Sequence, residues 1–407
     1  MEWMRHSALG IYISIPFCRS KCTYCNFASG VYPASEHERY VNRLADHLAA
    51  AAPWAAEHHL PLPRTVDTVY LGGGTPSLLA PHLIHRLFDA IRTHFTVDPE
   101  AEITVECAPG QIAPETLDAL AAAGVNRVSL GVQSFIDSEA HSSGRLHSRA
   151  TVLDDLRRLR AAGISNLNID LIAGLAGQTF ASWNESLDVL LHSGVPHASI
   201  YMLEVDEDSR LGREMLAGGA RYHAGLVPSD DAIARMYETA LGQFLAAGLR
   251  QYEISNFSHP GFESRHNLRY WQRRPYLGLG LDASSMAYEA GDDPHPPSLR
   301  FTTTDDLRAW LDAAVPPETA WLSPARQLEE AWFLGLRLNS GVNLAALEAE
   351  FGSAMVAPGL AAVERLVHDG LLYADASTVR LTPQGRLLSN GVFAEFLSID
   401  SVPTPSP

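Results

Sequence analysis

The sequence predicts an α/β fold, a partial (β/α)6 TIM-like barrel followed by a small C-terminal winged-helix-like domain, and three observations carry this. Six short β-branched or apolar runs alternate with amphipathic helical segments, the pattern of a parallel sheet with right-handed crossovers. A cysteine-rich loop and a glycine run directly follow the first two runs, where barrels and open α/β sheets gather their reactive groups. From Ser323 the pattern changes to helix, turn, helix and hairpin, which marks a second unit.

The elements read in order as follows. A first strand runs from Gly10 to Ile15 and ends at Pro16. Helical spacing from Ser35 to Ala52 puts Tyr40, Val41, Leu44 and Leu48 on one face. The second strand, Thr65 to Leu71, enters Gly72-Gly73-Gly74-Thr75-Pro76, and a helix from Pro81 to Phe95 follows. Then come a strand from Glu102 to Glu106, a helix from Pro114 to Ala123, a strand from Arg127 to Leu130 and a helix from Ala150 to Ala162. A strand from Asn166 to Leu171, a helix from Phe180 to Leu191 and a strand from Ala198 to Leu203 complete the alternation. No G-x-G-x-x-G opens the first helix, so a dinucleotide-binding Rossmann fold lacks its fingerprint.

Asp230 to Ala247 reads as a further helix and Gln251 to Phe257 as a strand-like segment. The stretch Ser264 to Trp271 is dense in polar and aromatic residues, Gly278 to Ala283 reads as a tight turn, and Asp292 to Pro297 as a loop. In the second unit, helices are expected from Pro324 to Leu338, Leu344 to Phe351 and Gly359 to Asp369. A hairpin of Leu371-Leu372-Tyr373 and Val379-Arg380-Leu381 follows. The expected organisation is a core barrel over 1–225, an extension over 226–322, the winged-helix-like unit over 323–397 and a flexible Pro- and Ser-rich tail over 398–407.

Composition narrows the partners. The 407 residues are 46% hydrophobic and 19% charged, an ordinary globular mixture long enough for a large domain plus a smaller one. A net charge of −17 disfavours nonspecific binding to nucleic acid or an anionic membrane. The recognition-helix position, Leu344 to Phe351, carries Glu348 and Glu350 and no basic residue, so no nucleic-acid partner is expected. There is no signal-peptide pattern and no apolar run of membrane-spanning length, so a cytoplasmic location is expected, with any peripheral membrane contact coming through a partner.

The chemistry concentrates in Cys18, Cys22 and Cys25, spaced C-x3-C-x2-C. Three thiolates on one loop can each hold a different iron of a cubane [4Fe–4S] cluster, leaving one iron open to an exogenous ligand. The alternative is zinc, which usually takes four protein ligands, often from a second paired motif that is missing here. Strand ends should turn Glu106, Gln133 and Asp170 into the same cavity. Three adjacent glycines permit close backbone approach and can receive a small polar ligand, although a plain tight turn would look the same. Cys107 reads as a small buried hydrophobe. By residue type alone, Arg145 would be a solvated surface residue, His266 a hydrogen-bonded histidine, and Tyr270 and Trp271 core aromatics.

From Tyr12 to about Phe396 the chain resembles the radical S-adenosylmethionine (SAM) superfamily. The likeness is to the branch holding the oxygen-independent coproporphyrinogen III dehydrogenases and the HemW-type heme chaperones. The resemblance implies that Cys18, Cys22 and Cys25 ligate the cluster and that SAM binds its open iron. It implies that Tyr12 and Tyr24 border SAM, that Gly73, Gly74 and Thr75 lie near its methionyl end, and that Glu106, Gln133, Arg145 and Asp170 are further contacts. The dehydrogenases continue the loop as C-x3-C-x2-C-x-C and have a longer N-terminal region, whereas this chain reads Cys25-Asn26-Phe27 and starts just before its first strand. The segment His266-Asn267-Leu268-Arg269-Tyr270-Trp271 matches the H-N-x-x-Y-W motif associated with heme in the chaperones. It implies His266 as an axial ligand with Asn267, Tyr270 and Trp271 beside the porphyrin.

The expected function is thus a heme chaperone that binds a [4Fe–4S] cluster, SAM and heme and passes heme to an acceptor protein, in preference to an enzyme. One rival is a dehydrogenase that uses SAM to abstract hydrogen from a porphyrinogen propionate in oxidative decarboxylation. The other is a metal-stabilised interaction protein using its winged-helix-like end.

Overall fold

The computed structural model describes residues 8–289 and 296–397; the expected tail over 398–407 and most of the loop from Asp292 to Pro297 lie outside them. Six strands pair in sequence order, each parallel to the next: β1 (Leu9–Ile15), β2 (Thr65–Gly73), β3 (Thr96–Cys107), β4 (Arg127–Gln133), β5 (Asn166–Ala173) and β6 (His197–Met202). Helices Ala34–Glu57, Pro81–His94, Pro114–Ala122, Arg149–Ala161 and Phe180–Ser193 make the crossovers. Among the described residues β1 and β6 do not pair with each other, so the barrel is open.

The sequence explains the layers. In β1, Leu9, Ile11, Ile13 and Ile15 alternate on one face and are fully buried under the helices. Helix Pro81–His94 begins with proline, whose missing N–H costs nothing at that position, and buries Leu83, Ile84, Leu87, Phe88 and Ile91 as one stripe. The opposite faces of the strands are polar. Asn168 Nδ2 lies 2.7 Å from Ser129 Oγ, 2.7 Å from Asp170 Oδ1 and 3.1 Å from Ser199 Oγ, linking β4, β5 and β6 across the barrel interior.

Several stretches differ from the sequence expectation. Gln251 to Phe257 is not one strand but two short antiparallel ones, Arg250–Gln251 and Asn256–Ser258, which add to the β6 edge. The supposed turn from Gly278 to Ala283 begins with strand Tyr276–Leu279, parallel to β1; only Gly280 and Asp282, at positive φ, form the turn. Strands Ser284–Tyr288, Ser298–Thr302 and Glu318–Leu322 follow antiparallel, bringing the described sheet to twelve strands. The third helix of the C-terminal unit starts at Ser353, not Gly359, because the break comes at Gly352 with φ +80° and Pro358 is carried inside the helix.

The C-terminal unit has its own core. Helices Pro324–Arg337, Leu344–Phe351 and Ser353–His368 and a small three-stranded sheet bury Trp332, Leu336, Val356, Leu366, Val379 and Phe396. Among the described residues no helix is long and apolar enough to cross a membrane.

The floor of the barrel is closed by helix Arg265–Trp271. Ser264 Oγ caps it, and Glu102 on β3 accepts the N–H groups of Arg265 and His266, each at 3.0 Å. Arg269 is fully buried and donates to Ala8 O at 2.8 Å and Pro275 O at 2.9 Å while pairing with Asp67; Arg274 pairs with the same carboxylate at 3.2 Å. Gly10 is required here, because a Cβ would meet Arg269 Cδ at 2.4 Å. Arg269→Met should lower stability by about 3 kcal/mol, the cost of stripping one partner from a buried ion pair. Urea unfolding reads this directly, and an unchanged midpoint would mean the pair does not hold the floor.

Candidate functional site

A large cavity of about 1310 Å³ opens at the C-terminal ends of the strands, between the barrel and the C-terminal unit. The cysteine loop forms one wall. It leaves β1 at Pro16 and returns at Gly30, with Cys18 N donating to Gly30 O and Gly30 N to Pro16 O, both at 2.8 Å. Lys21 ties the loop from within by donating to Phe27 O and to Ser29 O at 3.0 Å. From outside, Asn26 Nδ2 donates to Asp206 at 2.8 Å and Leu211 N to Thr23 O at 2.8 Å. The three thiols therefore project from a loop already closed by backbone bonds.

The glycine run docks on this loop. Gly74 N donates to Ile15 O at 2.8 Å and Thr75 N to Phe17 O at 2.7 Å. A Cβ on Gly74 would stand 2.8 Å from both Ile15 O and Phe17 O, so only glycine admits this approach. Gly73 holds φ +98°. Thr75 Oγ1 then reaches Cys18 Sγ at 3.9 Å, and Arg145 Nη1 reaches Cys22 Sγ at 3.6 Å while also donating to Gly131 O. Burial raises the Cys18 thiol above its ordinary value.

Tyr24, Gly73, Gly74, Thr75, Glu106, Gln133, Arg145 and Asp170 all line the cavity with Cys18, Cys22 and Cys25. Gln133 ends β4 at φ +69° beside a register shift, and its Oε1 is buried without a partner. A buried acceptor left unsatisfied on a positive-φ backbone leaves a hydrogen bond that a polar ligand in the cavity could complete. Glu106 accepts from Tyr70 Oη at 2.8 Å, and burial pushes its carboxyl up to about 7, with the Asp170 charge adding to the rise. Burial also raises Asp170, against hydrogen bonds from Ser199, Asn168 and Ser129 that favour its charge. Cys107 is buried where the core meets the cavity lining, its thiol raised to about 12 mainly by burial.

Two groups of sequence-predicted residues fall elsewhere. Tyr12 does not line the cavity; its ring lies 6.0 Å from Tyr70 and 6.4 Å from His266, because β1 puts it below the glycine loop. The H-N-x-x-Y-W segment is the floor helix. His266 is 1% exposed, with Nδ1 2.9 Å from Thr68 Oγ1 and Nε2 2.8 Å from Tyr270 Oη. Both ring nitrogens are engaged, and burial with the nearby arginines lowers its basicity to about 3. Neither His266, expected as an axial ligand, nor Asn267, Tyr270 or Trp271 lines the cavity.

Sequence reasoning also missed the opposite wall. The C-terminal unit contributes Leu366, Leu371, Leu387, Leu388 and Val392, and β6 contributes Tyr201. Phe27, Tyr201 and Leu388 are 62%, 42% and 52% exposed, unusual for large apolar side chains on a cavity wall without a ligand to cover them. The rule that strand ends face the mouth would have found Tyr201. The leucine wall has no local signal, since it exists only once the two units dock.

The comparisons agree with this geometry. A profile described as the Radical SAM superfamily matches residues 12–190, and one described as the HemN C-terminal domain matches residues 322–388. The chain is similar to the heme chaperone HemW of Lactococcus lactis subsp. lactis, 34% identical over 96% of this chain and 97% of that protein. Its similarity to heme chaperone HemW of Bacillus subtilis is 32% over 95% and 98%. In fold it resembles the coproporphyrinogen III oxidase HemN from Escherichia coli, with TM-score 0.80, 22% identity, and 96% of this chain and 90% of that one covered.

The Glu106 environment sets a pH dependence. A carboxyl raised from 4.5 to about 7 binds its proton more tightly in the folded state. Its stabilising effect is complete below about 4.5 and is lost as pH rises through about 7. Ligand-free protein should therefore lose stability relative to Glu106→Gln across that window; parallel curves in pH-dependent thermal melts would contradict the assignment.

Proposed function

Because this chain belongs to the HemW-type branch of the radical SAM superfamily, we propose that it is a heme chaperone. In this reading it holds a [4Fe–4S] cluster, SAM and heme in one cavity and passes the heme to an acceptor protein. Membership of the superfamily implies the cluster and SAM. The single observation that carries the heme reading is the cavity's mixed lining, thiols and polar strand ends from the barrel together with leucines from the C-terminal unit, with Phe27, Tyr201 and Leu388 exposed along it. Heme asks for that combination, since its macrocycle is flat and apolar while its iron and propionates are polar.

The residues present fit the cofactors. Cys18, Cys22 and Cys25 supply three thiolates and would leave one iron for SAM. A single zinc ion needs its donors converged on one point, and among the described residues no group of three His, Cys, Asp or Glu does so, whereas cubane thiolates each take a separate iron. SAM, bound to the open iron, would supply either a ligand to the cluster or a source of radical chemistry. Around it, the unpartnered Gln133 Oε1 can accept from a ribose hydroxyl or ammonium. Glu106 and Asp170 can accept from hydroxyl or ammonium groups, and Arg145 keeps positive charge against the thiolates.

The likeness in fold to HemN keeps a second reading, oxidative decarboxylation of coproporphyrinogen III, in view. Phe27 stands where the dehydrogenase loop would continue with a fourth cysteine, which favours cargo binding over that chemistry. Anaerobically reconstituted protein should bind heme saturably, near one per chain, and should leave coproporphyrinogen III unconverted. Absence of saturable binding, or formation of protoporphyrinogen, would overturn the chaperone reading. His266→Gln should leave the Soret maximum where it is while lowering the unfolding midpoint; a displaced maximum would restore His266 as the ligand.

A further inference from the structure

The cavity wall contributed by the C-terminal unit contains a cation placed for an anionic ligand. Arg337 closes helix Pro324–Arg337 and lines the cavity. Its guanidinium lies 4.2 Å from the centre of the Trp271 ring, and Nη2 lies 3.4 Å from Glu253 Oε2. Glu253 is fully buried, and its other oxygen is taken by Ser255 N at 2.9 Å and by Asn256 Nδ2. Arg337 Nε is buried without a partner, so the guanidinium makes one long ion pair and has donors to spare.

The other cations of the cavity are spent differently. Arg145 serves Gly131 O and the Cys22 thiol, Lys21 serves carbonyls of its own loop, and Arg365 pairs with Glu395 at 3.0 Å. Arg19 is exposed on the cysteine loop. Arg337 alone among these is fixed from behind by an aromatic ring and a buried carboxylate while it fronts the cavity.

We propose that Arg337, laid on Trp271 and tethered by Glu253, binds a carboxylate of the cavity's ligand. Resting on the heme reading, the inference assigns that carboxylate to a heme propionate. A planar guanidinium suits a carboxylate because two parallel N–H groups can face its two oxygens. The Trp271 face holds the plane and adds attraction without consuming a donor. The H-N-x-x-Y-W segment then touches the cargo's site through its last residue, from behind the wall, while His266 stays in the floor. SAM also carries a carboxylate, so the test separates the two sources.

The test titrates reconstituted full-length protein with heme, heme dimethyl ester and SAM. Arg337→Met should weaken heme binding about tenfold, the scale of one lost charge-assisted bond, and leave the ester unaffected because it has no carboxylate. Arg337→Lys should recover part of the loss, and Trp271→Leu should lose part of it, again for heme only. Arg337→Met combined with Glu253→Gln avoids stranding a buried carboxylate and should repeat the pattern if the single variant folds poorly. Equal losses for heme and ester, or no loss for heme, would overturn the assignment, and a loss confined to SAM would reassign Arg337 to the other carboxylate. Wild-type protein that binds neither porphyrin overturns the heme reading itself; wild-type protein that binds both with the same affinity overturns only the role of Arg337.

Discussion

Gly74 N to Ile15 O and Thr75 N to Phe17 O are the two backbone bonds on which the site depends. They join the loops that leave β1 and β2, so the thiols and the glycine cradle are positioned as one piece. The approach is possible because Gly74 has no Cβ to meet the carbonyls of Ile15 and Phe17. Once the loops are joined, Thr75 stands beside Cys18, and Gly73 is presented above Tyr12. Arg145 completes the assembly from the connection between β4 and helix Arg149–Ala161, bringing fixed positive charge to a place where thiolates would otherwise repel one another.

How much of this could be read from the sequence follows from the range of the forces involved. The parallel strands and their helices were legible because each depends on local periodicity: Ile11, Ile13 and Ile15 alternate in β1, and Leu83, Leu87 and Ile91 form a helical stripe. The cysteine loop and glycine run were legible because their chemistry is carried by adjacent residues. The surroundings of His266 were not, because they come from Thr68 and Glu102, 198 and 164 positions away. A motif gives the order of its side chains but not which side of a barrel floor they face. Tyr12 shares the interior face of β1 but sits beneath Gly73, a depth that pleat alternation does not report, and the leucine wall lies in a unit whose docking no local pattern reports.

The cavity divides chemically along the line where the two units meet. The barrel side is polar and desolvated, so Glu106 and Asp170 are both raised by burial even though Tyr70, Ser129 and Ser199 hydrogen-bond them. Such groups hold fixed positions and discriminate by hydrogen bonding. The far side adds a run of leucines, which discriminates by shape and area. Arg337 stands on that side, and its support comes from Glu253 and Trp271.

The way the units are fastened bears on what the cavity can admit. The second core draws Ile254 from the barrel side, and its other buried members begin at Leu328. Much of the tie is ionic: Arg273 to Glu350 at 2.6 Å, Arg300 to Glu330 at 2.7 and 2.8 Å, and Arg337 to Glu253. Ion pairs of this kind contribute little net adhesion after desolvation, but they are demanding about geometry. They set the register of the C-terminal unit against the barrel without a large apolar seam, so the leucine wall keeps its apolar surface for the cavity rather than for the joint.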